Sequence, residues 1–280
     1  MKSRSLAPRL RRLLESWQQY GNPIEVLLQR RARRGEMRVV DRESGVACRC
    51  KTAAHRMFGE VWFDHDYDVP AMPLREGDVV IDIGANQGFF TCYAAWKGCS
   101  VYAFEPDREN FALLEQNVAA NGFTSMVKLF PSAVKGRAGT TTLFRTGQLG
   151  GGMNTTSTEF AEHMGLAAAD AVEVPAVCLA DLLQQEKIER VRLCKIDCEG
   201  AELEIVKSLS REEALRIDSF ALEFHPHAYA PVRLIEALES WDTHHVFAAA
   251  PKYCERELLY AVSKTAFKEA SEFHASAQDR

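Results

Sequence analysis

The chain has 280 residues, 46% of them apolar, and a net charge of only −5. Those values allow a full hydrophobic core in one α/β domain with an appendage. They speak against a membrane-spanning chain, since no apolar run approaches the roughly 18 residues that a span requires. The charged N-terminus also lacks the apolar stretch of a secretion signal, so secretion is not expected.

Charge is uneven along the chain. Residues 1–38 hold ten Lys/Arg against three Asp/Glu, a charge of +7, which leaves −12 on the remainder. A basic arm of this kind suits nucleic acid or another anionic surface; a solvated helical cap is the simpler reading. Residues 5–34 are expected to form one or two amphipathic helices broken at Gly21-Asn22-Pro23, with Leu10, Leu13, Leu14 and Trp17 at helical spacing. Residues 36–50 alternate as a small hairpin around Glu43-Ser44-Gly45. The aromatic cluster Phe58, Trp62, Phe63 and Tyr67 then leads to Pro70 and Pro73, read as a linker. Eight cysteines (48, 50, 92, 99, 178, 194, 198 and 254) include no paired C-x-x-C arrangement. Cys48-x-Cys50 lacks a second ligand pair, so zinc is not expected. Cys92, Cys194 and Cys198 fall in segments that read as buried, where a thiol is a small hydrophobe. Reduced thiols fit the cytoplasm.

From residue 78 onward strands and helices alternate, the pattern of a parallel sheet covered on both faces. Strands are expected near 79–83, 101–105, 126–130, 191–197 and 218–224, and helices near 88–97, 107–120, 179–186, 200–208 and 231–240. Residues 140–145 and 171–178 read as an added pair of strands. Between them, 146–170 reads as a loop that, through Gly150-Gly151-Gly152 beside Met153 and Asn154, either lies in solvent or forms a lid. Two last strands, 244–249 and 257–262, are close enough to pair antiparallel. The fold class is therefore α/β, a doubly wound, mostly parallel seven-stranded sheet of Rossmann-like type. It ends in an antiparallel C-terminal hairpin and carries a small helical and hairpin N-terminal extension. The expected organisation is an extension over 1–73, a cofactor-binding catalytic domain over 74–263 and a polar tail over 264–280.

The stretch REGDVVIDIGANQGFF, residues 75–90, carries the most chemistry. A buried strand runs into a turn where Gly84 and Gly88 permit sharp bending and close approach to a ligand. The turn runs Asp82-x-Gly84-x-x-x-Gly88, not the G-x-G-x-x-G that packs a pyrophosphate on a helix N-terminus. A carboxylate at Asp82 would repel a pyrophosphate but suits the ammonium and sulfonium of S-adenosylmethionine. Glu105 ends the second strand, where an acidic residue can accept hydrogen bonds from both ribose hydroxyls; as a bare alternative it opens the next helix with Pro106 and Asp107. Ser132-Ala133-Val134 follows the third strand at the height of the adenine ring.

In LCKIDCEGAELEIV, residues 193–206, Lys195 within an apolar strand requires a partner, for which Asp197 is the nearest candidate. Asp197 and Glu199 then sit at the carboxyl end beside the switch point of the sheet. In Ala221-Leu222-Glu223-Phe224-His225-Pro226-His227, Glu223 and His225 share a face at the end of the fifth strand. His225 could take a proton from a hydroxyl near neutral pH. Alternatively Asp197, Glu199, Glu223 and His225 could hold a divalent metal, or His225 could be a loop histidine bonded to backbone. His227, His244 and His245 read as structural or exposed.

DIGANQG, FEPDRENFALLEQN, KIDCEGAE and LEFH, in this order over roughly residues 58–226, resemble the FkbM family of S-adenosylmethionine-dependent methyltransferases. The resemblance implies a class I methyltransferase fold and transfer to hydroxyls of secondary metabolites or sugars. It assigns Asp82, Gly84, Asn86 and Glu105 to the cofactor, and places Asp197, Glu199 and His225 around the transferred methyl. Cys198 departs from the aliphatic residue more common there. Gly88, Ser132 and Ala133 complete the expected cofactor set, with Asp197. The absence of an N-P-P-Y type motif favours oxygen over nitrogen as acceptor. An RNA methylase remains an alternative through the basic arm, and an NAD-dependent oxidoreductase or a non-catalytic scaffold are rivals from other classes.

Overall fold

Apolar runs long enough to be buried on both faces build the centre of the molecule. The computed structural model describes residues 17–32, 35–146, 154–166, 170–248 and 258–269. Outside the described residues lie the first 16 residues of the basic arm with Leu10, Leu13 and Leu14, the Gly150–Gly152 run with Met153, Cys254, and the tail beyond 269.

The extension contributes helix α1 (Pro23–Ala32), strands β1 (Glu36–Val40) and β2 (Ala47–Lys51) paired antiparallel, and helix α2 (His55–Trp62). Then follow β3 (Val79–Ile83), α3 (Phe89–Trp96), β4 (Ser100–Phe104), α4 (Arg108–Ala120), β5 (Val127–Phe130), β6 (Ala133–Lys135), β7 (Gly139–Phe144), α5 (Thr158–His163), β8 (Ala171–Cys178) and α6 (Leu179–Gln185). The last part holds β9 (Leu193–Ile196), α7 (Glu202–Ser208), α8 (Arg211–Ala214), β10 (Ser219–Glu223), α9 (Pro231–Glu239), β11 (His244–Ala248) and β12 (Leu258–Ser263).

Seven strands form one sheet in the order β11-β12-β10-β9-β3-β4-β5. β5, β4, β3, β9 and β10 are parallel, and β12 runs antiparallel to both β10 and β11. Successive side chains feed two cores. Val80, Val101, Ala103, Leu193 and Ala221 face one, and Ile81, Ile83, Phe104, Ile196, Phe220 and Leu222 face the other. The first core also contains Tyr20, Met37, Val39, Phe58 and Trp62, so the extension shares its interior with one face of the main sheet. Asn117 of α4 and Asn121, which caps its C-terminus, bind the backbone of β2 at Arg49 and Ala47, which seats the hairpin on the domain.

Two features differ from the expected pattern. The added strands β7 and β8 pair as expected, with antiparallel sense, but Ala133–Lys135 joins them as β6, parallel to β8. Three residues are too few for alternation to be visible in a sequence. Within the segment expected as a polar tail, residues 264–269 are helical and Ala266 is buried in the first core.

Candidate active site

Parallel strands leave a crevice at their carboxyl ends, and β3, β4 and β9 end there side by side. Gly84, which follows β3, has φ +75°, and a Cβ on it would lie 1.8 Å from the carbonyl oxygen of Asp197. Only glycine lets the β3 and β9 turns approach this closely. Gly88 is left-handed too, but the space it leaves is filled by Leu114 of α4; its part is helix packing.

Asp82 faces Lys195 across the β3–β9 ladder. This register makes Asp82 the nearer partner of Lys195, at 3.2 Å, with Asp197 at 3.7 Å. Asp197, the neighbour along the strand and the partner expected from the sequence, is the more distant of the two because Asp82 stands directly across the sheet. Thr91 Oγ1 donates to Asp82 at 2.6 Å, and Lys195 Nζ donates to the Gly84 carbonyl at 2.7 Å. Burial would lower the Lys195 pKa, but Asp82 and Asp197 reverse the balance and raise it, so the ammonium persists. Asp82 is thereby a buried counter-ion that fixes the glycine turn through Lys195.

A cleft with about 580 Å³ of empty space, counting the open solvent at its mouth, lies over these strand ends. Of the expected residues, Gly84, Asn86, Glu105, Ser132, Ala133, Asp197 and Glu199 line it. Asp82, Gly88 and His225 are not among the described residues that do so. Phe104, Val134 and Leu143 supply an apolar wall, and Met57 reaches it from α2. Glu105 is 5% exposed. Its two carboxylate oxygens accept the backbone N–H groups of Asn86 and Asp107, each at 2.8 Å. Burial pushes its pKa up to about 7, against the pull of the Asp107 N–H.

At the end of β9 and β10 a second group assembles. Glu199 adopts a left-handed conformation at φ +56°, a strain of order 1–3 kcal/mol that the surroundings must hold. Its carbonyl accepts from Thr155 Oγ1 at 2.5 Å. Its carboxylate lies 3.1 Å from His225 Nε2. The other ring nitrogen, Nδ1, lies 3.0 Å from Glu202 Oε1. Burial alone would lower the His225 pKa, but the hydrogen bonds to Glu199 and Glu202 outweigh it and hold it well above the usual histidine value. Both ring nitrogens thus face carboxylates, an arrangement that favours the charged ring. A general base, the role expected of His225, needs a ring nitrogen with a free lone pair, and each nitrogen here has a carboxylate beside it.

Glu202 and Tyr67 carry parts of this site that sequence reasoning missed. Tyr67 donates to Asp197 Oδ2 at 2.9 Å and to Glu223 Oε2 at 3.3 Å, and its ring lies 5.3 Å beneath Lys195 Nζ. It had read as part of a linker. Asp197, Glu223 and His225 each bring a ligand atom within 4.8 Å of the others; they are three of the four residues expected for a metal, and Glu199 is not in the group. The donor set does not fit a cation well: both nitrogens of His225 are on carboxylates, and the Tyr67 hydroxyl donates to the other two members.

The strand order, the glycine turn after β3 and the acidic residue ending β4 define a class I methyltransferase. Residues 82–248, more than half the chain, match the profile of the methyltransferase FkbM domain. The chain belongs to the FkbM methyltransferase family. Methyltransferase sdnD of Sordaria araneosa is 30% identical over 186 residues, covering 58% of this chain and 71% of that one. The 31-O-demethyl-FK506 methyltransferase FkbM of Streptomyces tacrolimicus is 27% identical over 194 residues, covering 61% and 75%. Among solved structures, methyltransferase FkbM from Methylobacillus flagellatus KT aligns with a TM-score of 0.46 at 14% identity, over 85% of this chain and 58% of that chain. The chain thus spans less than two thirds of that protein's length. No helix among the described residues is long and apolar enough to cross a membrane.

Proposed function

We propose that this methyltransferase moves the methyl group of S-adenosylmethionine to a hydroxyl oxygen of a small molecule, a secondary metabolite or a sugar. The observation that carries the reading is Glu199. Its carboxylate lines the cleft, and its pKa is raised, first by burial and further by the charges of Asp197 and Glu202, while His225 restrains the rise. A hydroxyl must lose a proton as it is alkylated, and a carboxylic acid shifted toward neutrality is matched to receive it. The name of the Streptomyces relative, which acts on 31-O-demethyl-FK506, supports oxygen as the acceptor atom.

The cleft suits the cofactor. Each Glu105 oxygen holds one backbone N–H and keeps lone pairs for the ribose hydroxyls. Phe104 and Val134, with Ser132 and Ala133, would flank the adenine, while Gly84, Asn86 and Asp197 would hold the amino-acid end. When bound, the cofactor supplies an activated methyl carbon and leaves as a neutral thioether. The protein's residues align the acceptor and take its proton, and alignment alone can account for several kcal/mol of the barrier. Lys195 keeps the Gly84 turn in place, and Tyr67 holds Asp197 and Glu223 at a fixed separation.

The reading is tested with S-adenosylmethionine carrying a 13C-methyl group, offered separately with hydroxylated small molecules and sugars, with amines and with total RNA. The expected result is label at an O-methyl carbon of a small acceptor. Label found only on nitrogen, or only in RNA, would overturn it.

A further inference from the structure

Glu202 is the first residue of α7, and its exposure is zero. A carboxylate buried to that degree requires both oxygens to be hydrogen-bonded, and here both are. Oε1 accepts the backbone N–H of Cys198 at 3.2 Å and of Gly200 at 3.0 Å, and it faces His225 Nδ1 at 3.0 Å. Oε2 accepts the Tyr229 hydroxyl at 2.9 Å. The two backbone groups flank Glu199, so one side chain both closes the strained turn and holds the ring that touches the Glu199 carboxylate.

We propose that Glu202 is a positioning residue for methyl transfer: it holds His225 as a fixed cation, and His225 in turn fixes and keeps ionised the Glu199 carboxylate that receives the acceptor's proton. This rests on the reading of Glu199 given above. In the step served, the acceptor oxygen forms a bond to the methyl carbon and the sulfur–methyl bond breaks with its electron pair going to sulfur. The hydroxyl proton goes to Glu199, so charge and atoms balance. His225 neither gains nor loses a proton.

The charges around the ring support a strut rather than a proton shuttle. Glu199 faces His225 from the β9–α7 turn, Glu202 from α7, and Asp197 and Glu223 from the ends of β9 and β10. Tyr229 shares Glu202 with it, and the Phe160 ring of α5 packs edge-on at 5.6 Å. Lys195 is the neighbouring cation, directed at Asp82, Asp197 and the Gly84 carbonyl. Burial would raise the pKa of Glu202, yet the hydrogen bond from His225 and the Gly200 N–H bring it below the usual value. Glu202 thus stays ionised and keeps the ring charged.

The test is NMR titration of the His225 ring in the whole protein with S-adenosylhomocysteine bound, in wild type and in Glu202→Gln, alongside the pH dependence of kcat with the hydroxyl acceptor methylated fastest in the labelled screen. Wild-type His225 should remain protonated well above the pH at which a free histidine loses its proton. In Glu202→Gln its pKa should fall by about one unit or more, the acid limb of kcat should move to higher pH as Glu199 loses its cation, and kcat at neutral pH should drop about tenfold or more. The dissociation constant of S-adenosylhomocysteine should change less than about twofold, since Glu202 does not line the cleft. Tyr229→Phe, which leaves the charge pair intact, should preserve the wild-type limb. A wild-type His225 that titrates near its ordinary value overturns the proposal even if Glu202→Gln fails to fold, as does a variant with an unmoved kcat limb. If the methyl is found on nitrogen but His225 titrates high, the acceptor assignment fails and the clamp stands; ordinary titration with O-methylation reverses that outcome.

Discussion

Glu105 couples cofactor affinity to pH in a way that can be worked from its surroundings. Burial pushes its pKa up to about 7 in the free protein. Ribose hydroxyls bind as donors, so the ionised carboxylate is the form that receives both. As pH falls below about 7 the ionised fraction falls tenfold per unit, and at pH 6 affinity should be about tenfold below its alkaline plateau, or roughly 1.4 kcal/mol. The sign follows from the direction of proton uptake: binding holds Glu105 ionised, so the complex is favoured as pH rises through the free-state value and levels off above it. Glu105→Gln removes the titrating group. The amide must also turn an NH2 toward one of two backbone donors, Asn86 N–H or Asp107 N–H. Losing the charged acceptor costs about 1–3 kcal/mol, roughly 5- to 150-fold in Kd at every pH. Calorimetric titration with S-adenosylhomocysteine at pH 6, 7 and 8 measures both effects. A wild-type affinity that does not vary with pH, or a variant that keeps the wild-type slope, would refute the assignment of Glu105 to the ribose.

Gly84→Ala puts a Cβ 1.8 Å from the Asp197 carbonyl at φ +75°; the left-handed backbone alone costs about 1–2 kcal/mol before the turns are pushed apart. Thermal melting should show a lowered Tm together with loss of S-adenosylhomocysteine binding, and a variant that binds normally would contradict the close approach. Lys195→Met leaves Asp82 as a buried carboxylate without its cation, a change that costs about 3–5 kcal/mol. Urea unfolding measures it, and a loss below about 1 kcal/mol would show that the pair contributes little.

The parallel strands were legible because Val79–Ile83, Leu193–Ile196 and Ser219–Glu223 are apolar runs of strand length bounded by turn residues, and burial on both faces leaves little other use for such runs. The cofactor turn was legible for a local reason: a strand, two glycines and a helix are adjacent in sequence. What escaped is set by contacts far apart in the chain. Tyr67 meets Asp197 across 130 positions, and nothing in its aromatic neighbourhood points there. Glu202 shares its helix turn with Glu204, and the two look equally fit to complement a helix N-terminus. Only the arrival of His225 and Tyr229 from beyond β10 distinguishes the buried one. For Lys195 the chain itself offers Asp197 as nearest partner, and Asp82 lies nearer because the pairing register of β3 and β9 decides what faces Lys195; a linear reading does not contain that register. The sequence places His225 just past the end of β10, as the structure does, but it does not show the carboxylates that meet both of its nitrogens.

The most direct measurement of the central claim is a crystal structure of the protein grown with S-adenosylhomocysteine. The account predicts the ligand in the cleft above β3, β4 and β9, with its ribose hydroxyls on Glu105, its ring against Phe104 and Val134, and its sulfur on the side of Asp197 and Glu199. A ligand bound elsewhere, or in the cleft with Glu105 and Glu199 out of contact range, would contradict it.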